Sequence, residues 1–268
     1  MKTLLQKTPR WILIVLGLVV FGLVRTPFED PMREKLIEAD LLLPPPAEDA
    51  MQQMSQSALM GTLGGLRTLV SSYLVLEAFG HFSLKEWEDL RRSYAIITSL
   101  EPRDENHWRD VVWHLGINAT ANMEIDESIP EFERKRRFNE YAVLAVELAQ
   151  QGIQQNPDSV IIRQQLGEVY REKLKDFCEA ARVYQELADL PGAPSYSERF
   201  VGYFLAQCPG REREAYDLLR RLYYEGAHNH KDGLIIDLKN LEEKFDILPA
   251  LRIPDPYPSL PNGASRRL

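Results

Sequence analysis

Two cysteines and two histidine groups are the residues of this sequence whose types and spacing could do chemistry. Cys178 and Cys208 lack the C-x-x-C spacing of a zinc or redox site and are too few for a disulfide framework. They allow one bridge in an oxidising compartment, or else act as two small buried hydrophobes. His107, Asp110 and His114 fall on one helical face at i, i+3 and i+7, a geometry that could ligate a divalent metal. A simpler account makes His107 a first-turn residue and Asp110 with His114 an ordinary i, i+4 pair. His228-Asn229-His230 with Asp232 sits in a glycine-flanked turn, where polar residues belong in any case. Neither group is expected to hold a metal.

The chain contains no P-loop, dinucleotide-binding glycine pattern, G-x-S-x-G or H-E-x-x-H. Gly61 and Gly64-Gly65 sit in an apolar helical context without the lysine that a phosphate loop needs. Surface glutamates on helices cannot be paired into a catalytic dyad by spacing alone. The expectation is a protein without catalytic group, cofactor or small-molecule substrate.

The elements that would carry these residues are helical. With 268 residues, 44% hydrophobic and 27% charged, the chain can bury a full core. A net charge of −8, with acids and bases intermingled, argues against a nucleic-acid binder. The one dense basic run, Arg134-Lys135-Arg136-Arg137, follows Glu131 and Glu133 and reads as a solvated helix face.

Four segments follow from the pattern. Residues 1–27 contain the uncharged run Trp11 to Val24, with Lys2, Lys7 and Arg10 before it and Arg25 after. A helix of that run reaches only about 21 Å, against a hydrocarbon core of roughly 30 Å. Snorkelling of Lys7, Arg10 and Arg25 with Trp11 at the interface extends it to an uncleaved single-pass anchor. A cleaved signal peptide is the alternative, although Val20-Phe21-Gly22 is a poor cleavage site. The short N-terminal tail favours N-inside, which places the bulk of the protein outside the cytoplasm. Residues 28–47 hold a juxtamembrane helix opened by Pro31 and a stiff Pro44-Pro45-Pro46 spacer.

Residues 48–248 read as helix almost throughout. Leu63, Leu66, Leu69, Val70, Tyr73, Leu74 and Leu76 predict one amphipathic helix, turned at His81 to Ser83 into a second that carries Trp87, Leu90, Tyr94, Ile97 and Leu100. Residues 249–268, with five prolines, form an extended tail.

A period underlies the helical region. Pro157 and Pro191, each following an apolar helix, lie 34 residues apart. Between them stand Leu166-Gly167 and Tyr170, then Ala180, Tyr184 and Leu187, each of the last three displaced by one residue, and then Pro191. This unit resembles the tetratricopeptide (TPR) family. The resemblance implies an all-α, antiparallel helix-pair solenoid in which Gly167 and Ala180 allow close helix approach and the rings fill the groove beside them. Leu115-Gly116 with Ala145, Ala149 and Gly152 makes a weaker copy, 51 residues upstream from Leu115 to Leu166, so an insertion is expected over Met123 to Arg137. A further unit spans Tyr196 to Tyr224, with Ala215, Leu219 and Leu222 in its second helix and a first helix closing at Cys208-Pro209-Gly210. Arg163 stands where the family pattern wants an aromatic. More loosely, the chain is similar to membrane-anchored helical-repeat proteins of bacteria, which implies a bacterial source.

The resemblance also implies a function. Gln164, Glu168 and Arg171 occupy positions that face the concave groove in TPR proteins, so a membrane-tethered scaffold binding another protein is expected. The alternative is a permanent structural subunit of an envelope assembly such as a secretion, pilus or transport complex. A charged groove would favour the first reading, and a large exposed apolar patch the second. Antiparallel pairing would also bring the start of the Cys178 helix beside the end of the helix before Cys208, within reach of a disulfide.

Overall fold

The computed structural model describes residues 65–254 together with Pro31 and Lys35 as helical positions. The expected anchor at 11–24, the 44–46 spacer, Leu63 and the tail beyond 254 lie outside the described residues. Among the described residues there is no strand, and no helix is long and apolar enough to cross a membrane.

Among the described residues nine α-helices run from Arg67 to Lys244. They are α1 (Arg67–Leu84), α2 (Trp87–Leu100), and α3, which runs without a break through Glu105–Trp113, a π-turn at His114–Ala119 and Thr120–Ile125. Then come α4 (Glu131–Gln155), α5 (Val160–Glu168, continuing as a π-turn over Val169–Leu174) and α6 (Phe177–Ala188). The last three are α7 (Ser197–Leu205), α8 (Glu212–Glu225) and α9 (Asp232–Lys244).

Local chemistry starts these helices where they start. Asp104, Ser159 and Asp176 each accept a hydrogen bond from a first-turn amide, at 2.9, 3.2 and 3.0 Å, and so cap α3, α5 and α6. Pro130 stands immediately before α4, whose first turn carries Glu131 and Glu133 against the positive end of the helix. α1 does not stop at His81 to Ser83 as the sequence suggested. It runs on to Leu84 and ends at Lys85 in the left-handed conformation (φ 61°), whose amide and that of Glu86 satisfy the carbonyls of Phe82 and His81.

Helix pairing can be read from which residues meet. Gly116 lies against Ala145, and Gly152 against Trp108. Both pairs are placed nearly symmetrically about Pro130, as only an antiparallel hairpin allows. Gly167 with Tyr184 gives the same symmetry about the α5–α6 turn, and Gly202 with Leu219 about the turn at Cys208 to Arg211. The chain is thus a run of helical hairpins, α3/α4, α5/α6 and α7/α8, preceded by α1/α2. Leu90, Ile97, Leu100, Leu115, Leu166 and Leu219 are among the side chains wholly removed from water along its length.

Two expectations take a different form in the structure. The insertion expected over Met123 to Arg137 is mostly helix: Met123 to Ile125 complete α3, Asp126 to Pro130 make a short turn, and Glu131 to Arg137 supply roughly the first two turns of α4. Its basic run is a solvated ladder on α4, with Glu131 to Lys135 at 2.6 Å and Glu133 to Arg136 and Arg137 at 2.7 Å. The apolar residues of α1 do not share one buried face. Leu74 is buried with Ser71 and Ala78, whereas Leu66, Leu69, Tyr73 and Leu76 point outward. Arg163, in the place of an aromatic, is nevertheless buried, its guanidinium donating to the Ser159 carbonyl at 2.9 Å.

At the C-terminal end the chain folds back on α9. Ile253 is buried, its amide donates to the Glu242 carboxylate at 2.7 Å, and its carbonyl accepts from Lys239 at 2.8 Å. The described part of the expected tail is therefore a strap. On α9, burial pushes the Asp237 carboxyl up to about 6. The folded state then holds this proton more tightly than the unfolded chain, so charging Asp237 costs stability as pH rises from about 4 to about 6. Asp237→Asn is expected to stabilise the protein by about 1 kcal/mol near pH 7, less than the full shift implies because the carboxyl is half-buried. Urea denaturation at the two pH values checks this, since the gain should vanish below about pH 4.

Candidate interaction groove

One concavity, of about 460 Å³, collects the residues singled out by the sequence. Its floor comes from α5, whose Gln164, Glu168 and Arg171 recur at i, i+4 and i+7 and so share one face. Gln165 of the same helix also lines it. Arg109 of α3 forms one wall; Tyr184 of α6 with Tyr196 and Phe200 at the start of α7 form the other. The site therefore spans three successive hairpins, with the first helix of each contributing.

The aromatic wall is held by packing. Tyr184 lies with its ring 5.2 Å from Phe200 and 5.3 Å from Phe204, and burial raises its phenol well above the ordinary value. Tyr196 stacks near Phe200 at 4.9 Å and accepts a hydrogen bond from the Gln164 amide, which ties α5 to α7 across the groove. The charged groups are positioned by neighbours: Arg109 Nε donates to Asp110 at 2.8 Å and Arg171 pairs with Glu172 at 2.8 Å. Two donors are buried without a partner, Gln165 Nε2 and Arg171 Nε. A buried donor left unpaired costs about 1–3 kcal/mol. Gln165 was missed in the sequence because a glutamine one residue from the expected face carries no periodic signal of its own.

The repeat-packing residues fall where they press helices together. Leu115, Gly116, Leu166, Gly167, Tyr170, Ala180, Tyr184 and Leu187 are buried, while Pro191 is exposed in the turn after α6. A Cβ on Gly116 would stand 2.7 Å from Val169, one on Gly167 2.4 Å from Tyr184 and one on Gly202 2.3 Å from Leu219. Val201-Gly202 thus plays the part of Leu115-Gly116 and Leu166-Gly167 in the next hairpin. It escaped notice because valine replaces leucine and the spacing from Gly167 exceeds the proline period by one residue.

Cys178 at the start of α6 and Cys208 just past the end of α7 form a disulfide, with Cα atoms 5.0 Å apart. The histidine groups do not converge on common centres. His107 turns to Glu101 at 3.0 Å and to Ser71, Asp110 turns to Arg109, and His114 packs among Phe82, Trp113 and Tyr94. Burial lowers the His114 pKa against the opposing charge of Asp110. His230 stacks on Tyr223 at 4.1 Å instead of joining His228. A different trio, His81, Glu86 and Asp89, does bring its ligand atoms within 4.8 Å of one another at the α1–α2 turn. It is half-exposed, His81 already bonds Glu86 at 2.7 Å, and Asp89 bonds Arg92.

A second concavity of about 410 Å³ lies between the end of α3 and the start of α4, lined by Met123, Glu124, Arg134 and Phe138 among others. Two of its lining residues also meet Lys173 of α5, which pairs with Glu124 at 3.1 Å and sits over the Phe138 ring.

Comparison with protein-family models, with characterised proteins and with solved structures gave no match.

Proposed function

We propose that this chain is a non-catalytic, membrane-tethered scaffold whose helical hairpins form a TPR-like solenoid and whose groove takes an extended segment of another protein. The observation that carries the reading is the convergence of Gln164, Glu168 and Arg171 in one cavity lined by the first helices of three consecutive hairpins. Stacked hairpins with first helices inside are the arrangement that makes a concave binding face.

The repeated glycine contacts at Gly116, Gly167 and Gly202 support the repeat reading. So does the π-turn over Val169–Leu174. A π-turn accommodates one more residue than an α-turn, and one residue is the displacement of Ala180, Tyr184 and Leu187 from the family pattern. The tether is the run from Trp11 to Val24, and the helical unit would stand on the extracytoplasmic side of the cell membrane, a periplasm in a Gram-negative bacterium.

A photo-crosslinking side chain at Gln164 in the intact cell tests the binding claim. Capture of a distinct protein is expected. Glu168→Lys and Arg171→Glu should each lower that capture at least about tenfold while shifting the melting temperature by no more than about 2 °C, since both side chains are partly exposed. Loss of capture only in variants that also unfold would remove the support for a groove. Carbonate extraction tests the tether: full-length chain released into the soluble fraction would refute it.

One observation favours the second reading, a permanent subunit of an envelope assembly. α1 exposes a row of large apolar side chains that the groove does not use.

A further inference from the structure

We propose that the outer face of α1 is a self-association surface, on which a second copy of the chain packs antiparallel. Leu66, Leu69, Tyr73, Leu76, Phe79 and Leu84 are between 53% and 72% exposed, on the side of the helix opposite the buried Ser71, Leu74 and Ala78. Leu66, Leu69, Tyr73 and Leu76 follow the three-four spacing of a helix–helix seam. α1 is apolar on both sides, and α2 covers only one of them.

The identity of the occupant follows from the pattern of sizes and charges. With a two-fold axis between Leu74 and Val75, Tyr73 of each copy faces Leu76 of the other, and Leu69 faces Gly80. Gly80 is a ready hole, because a Cβ there would meet nothing in its own chain. Glu77 then lies across from Ser72 and Arg67 across from Phe82, so no like charges meet. Six large apolar side chains at this exposure offer roughly 700 Å² per copy, close to the ~800 Å² per partner of a stable interface. A lipid surface suits the stripe less well, since Glu77 borders its middle and no run of basic residues flanks it.

The surface is separate from the groove, and its test is independent of any groove partner. A photo-crosslinking residue replaces Leu76 in the full chain, expressed in cells together with a differently tagged copy. The expected product contains two copies of the chain, identified by both tags. The same residue at Gln150, exposed on α4, should give no such product. Leu69→Glu should reduce the two-copy product at least tenfold, and its own site is 65% exposed, so folding is not at stake. Adducts only within one chain, to lipid or to another protein would overturn the proposal, as would a two-copy yield that Leu69→Glu leaves unchanged.

Discussion

Removing the Cys178–Cys208 bridge is expected to lower the stability of the helical unit by about 3–4 kcal/mol. The bridge closes a loop of sequence separation 30, and cross-linking a loop of that length removes conformational entropy from the unfolded chain in about that amount. It joins the start of α6 to the end of α7, so the clamp holds together the two elements that carry Tyr184, Tyr196 and Phe200. For a unit of this size the melting temperature should fall by about 10 °C. Thermal unfolding of the full chain with and without reductant measures it, beside a Cys178→Ser/Cys208→Ser variant. Reduced wild type and variant should melt together. A shift under about 2 °C in both would show that helix packing alone holds α6 to α7. The same bridge reads out the compartment: in an oxidising one, denatured chain taken from cells gains two labelled thiols only after reduction.

The second large effect is expected at Gly167. A Cβ at this position would stand 2.4 Å from Tyr184 Cε2 and 2.8 Å from its Cδ2, inside contact distance. Replacing a helical glycine normally gains up to about 1 kcal/mol, but overpacking a well-filled contact costs about 1–3. The ring cannot retreat cheaply, since Phe200 and Phe204 stand behind it. Overlap therefore wins, and Gly167→Val, with two further methyls and a β-branch, should lose about 3 kcal/mol. Urea denaturation checks the loss. Its cause is checked by a double-mutant cycle: in a Tyr184→Leu background, which clears the space, the cost of Gly167→Val should shrink by at least half. Equal costs in the two backgrounds would place the strain elsewhere. Because Tyr184 also lines the groove, Gly167→Val should weaken partner capture even in the fraction that remains folded.

Much of the helical architecture was legible because its signals are local. Pro157 and Pro191 mark turns since proline cannot continue a helix. The caps at Ser159 and Asp176, by contrast, came from the structure. Leu166-Gly167 and Tyr170 pointed to the groove helix, and the three residues on its open face do share a cavity. α1 was misread for a physical reason. Its apolar residues surround the helix, so periodicity could not say which face meets α2. The histidines could be placed on a helix face but not given partners, since Glu101 and Ser71, which hold His107, come from other elements.

The residue pattern by itself determined that the described part of this protein is helical and where most of its helices turn. These follow from backbone geometry and side-chain spacing within one segment. The tertiary structure alone decided that the extra residues around Pro130 lengthen two helices, that Val201-Gly202 repeats the contact of Leu166-Gly167, and that Gln165 lines the groove with its amide nitrogen buried and unpaired. Each of these depends on what a neighbouring helix places opposite a residue, and a helical period names a face without naming what will cover it.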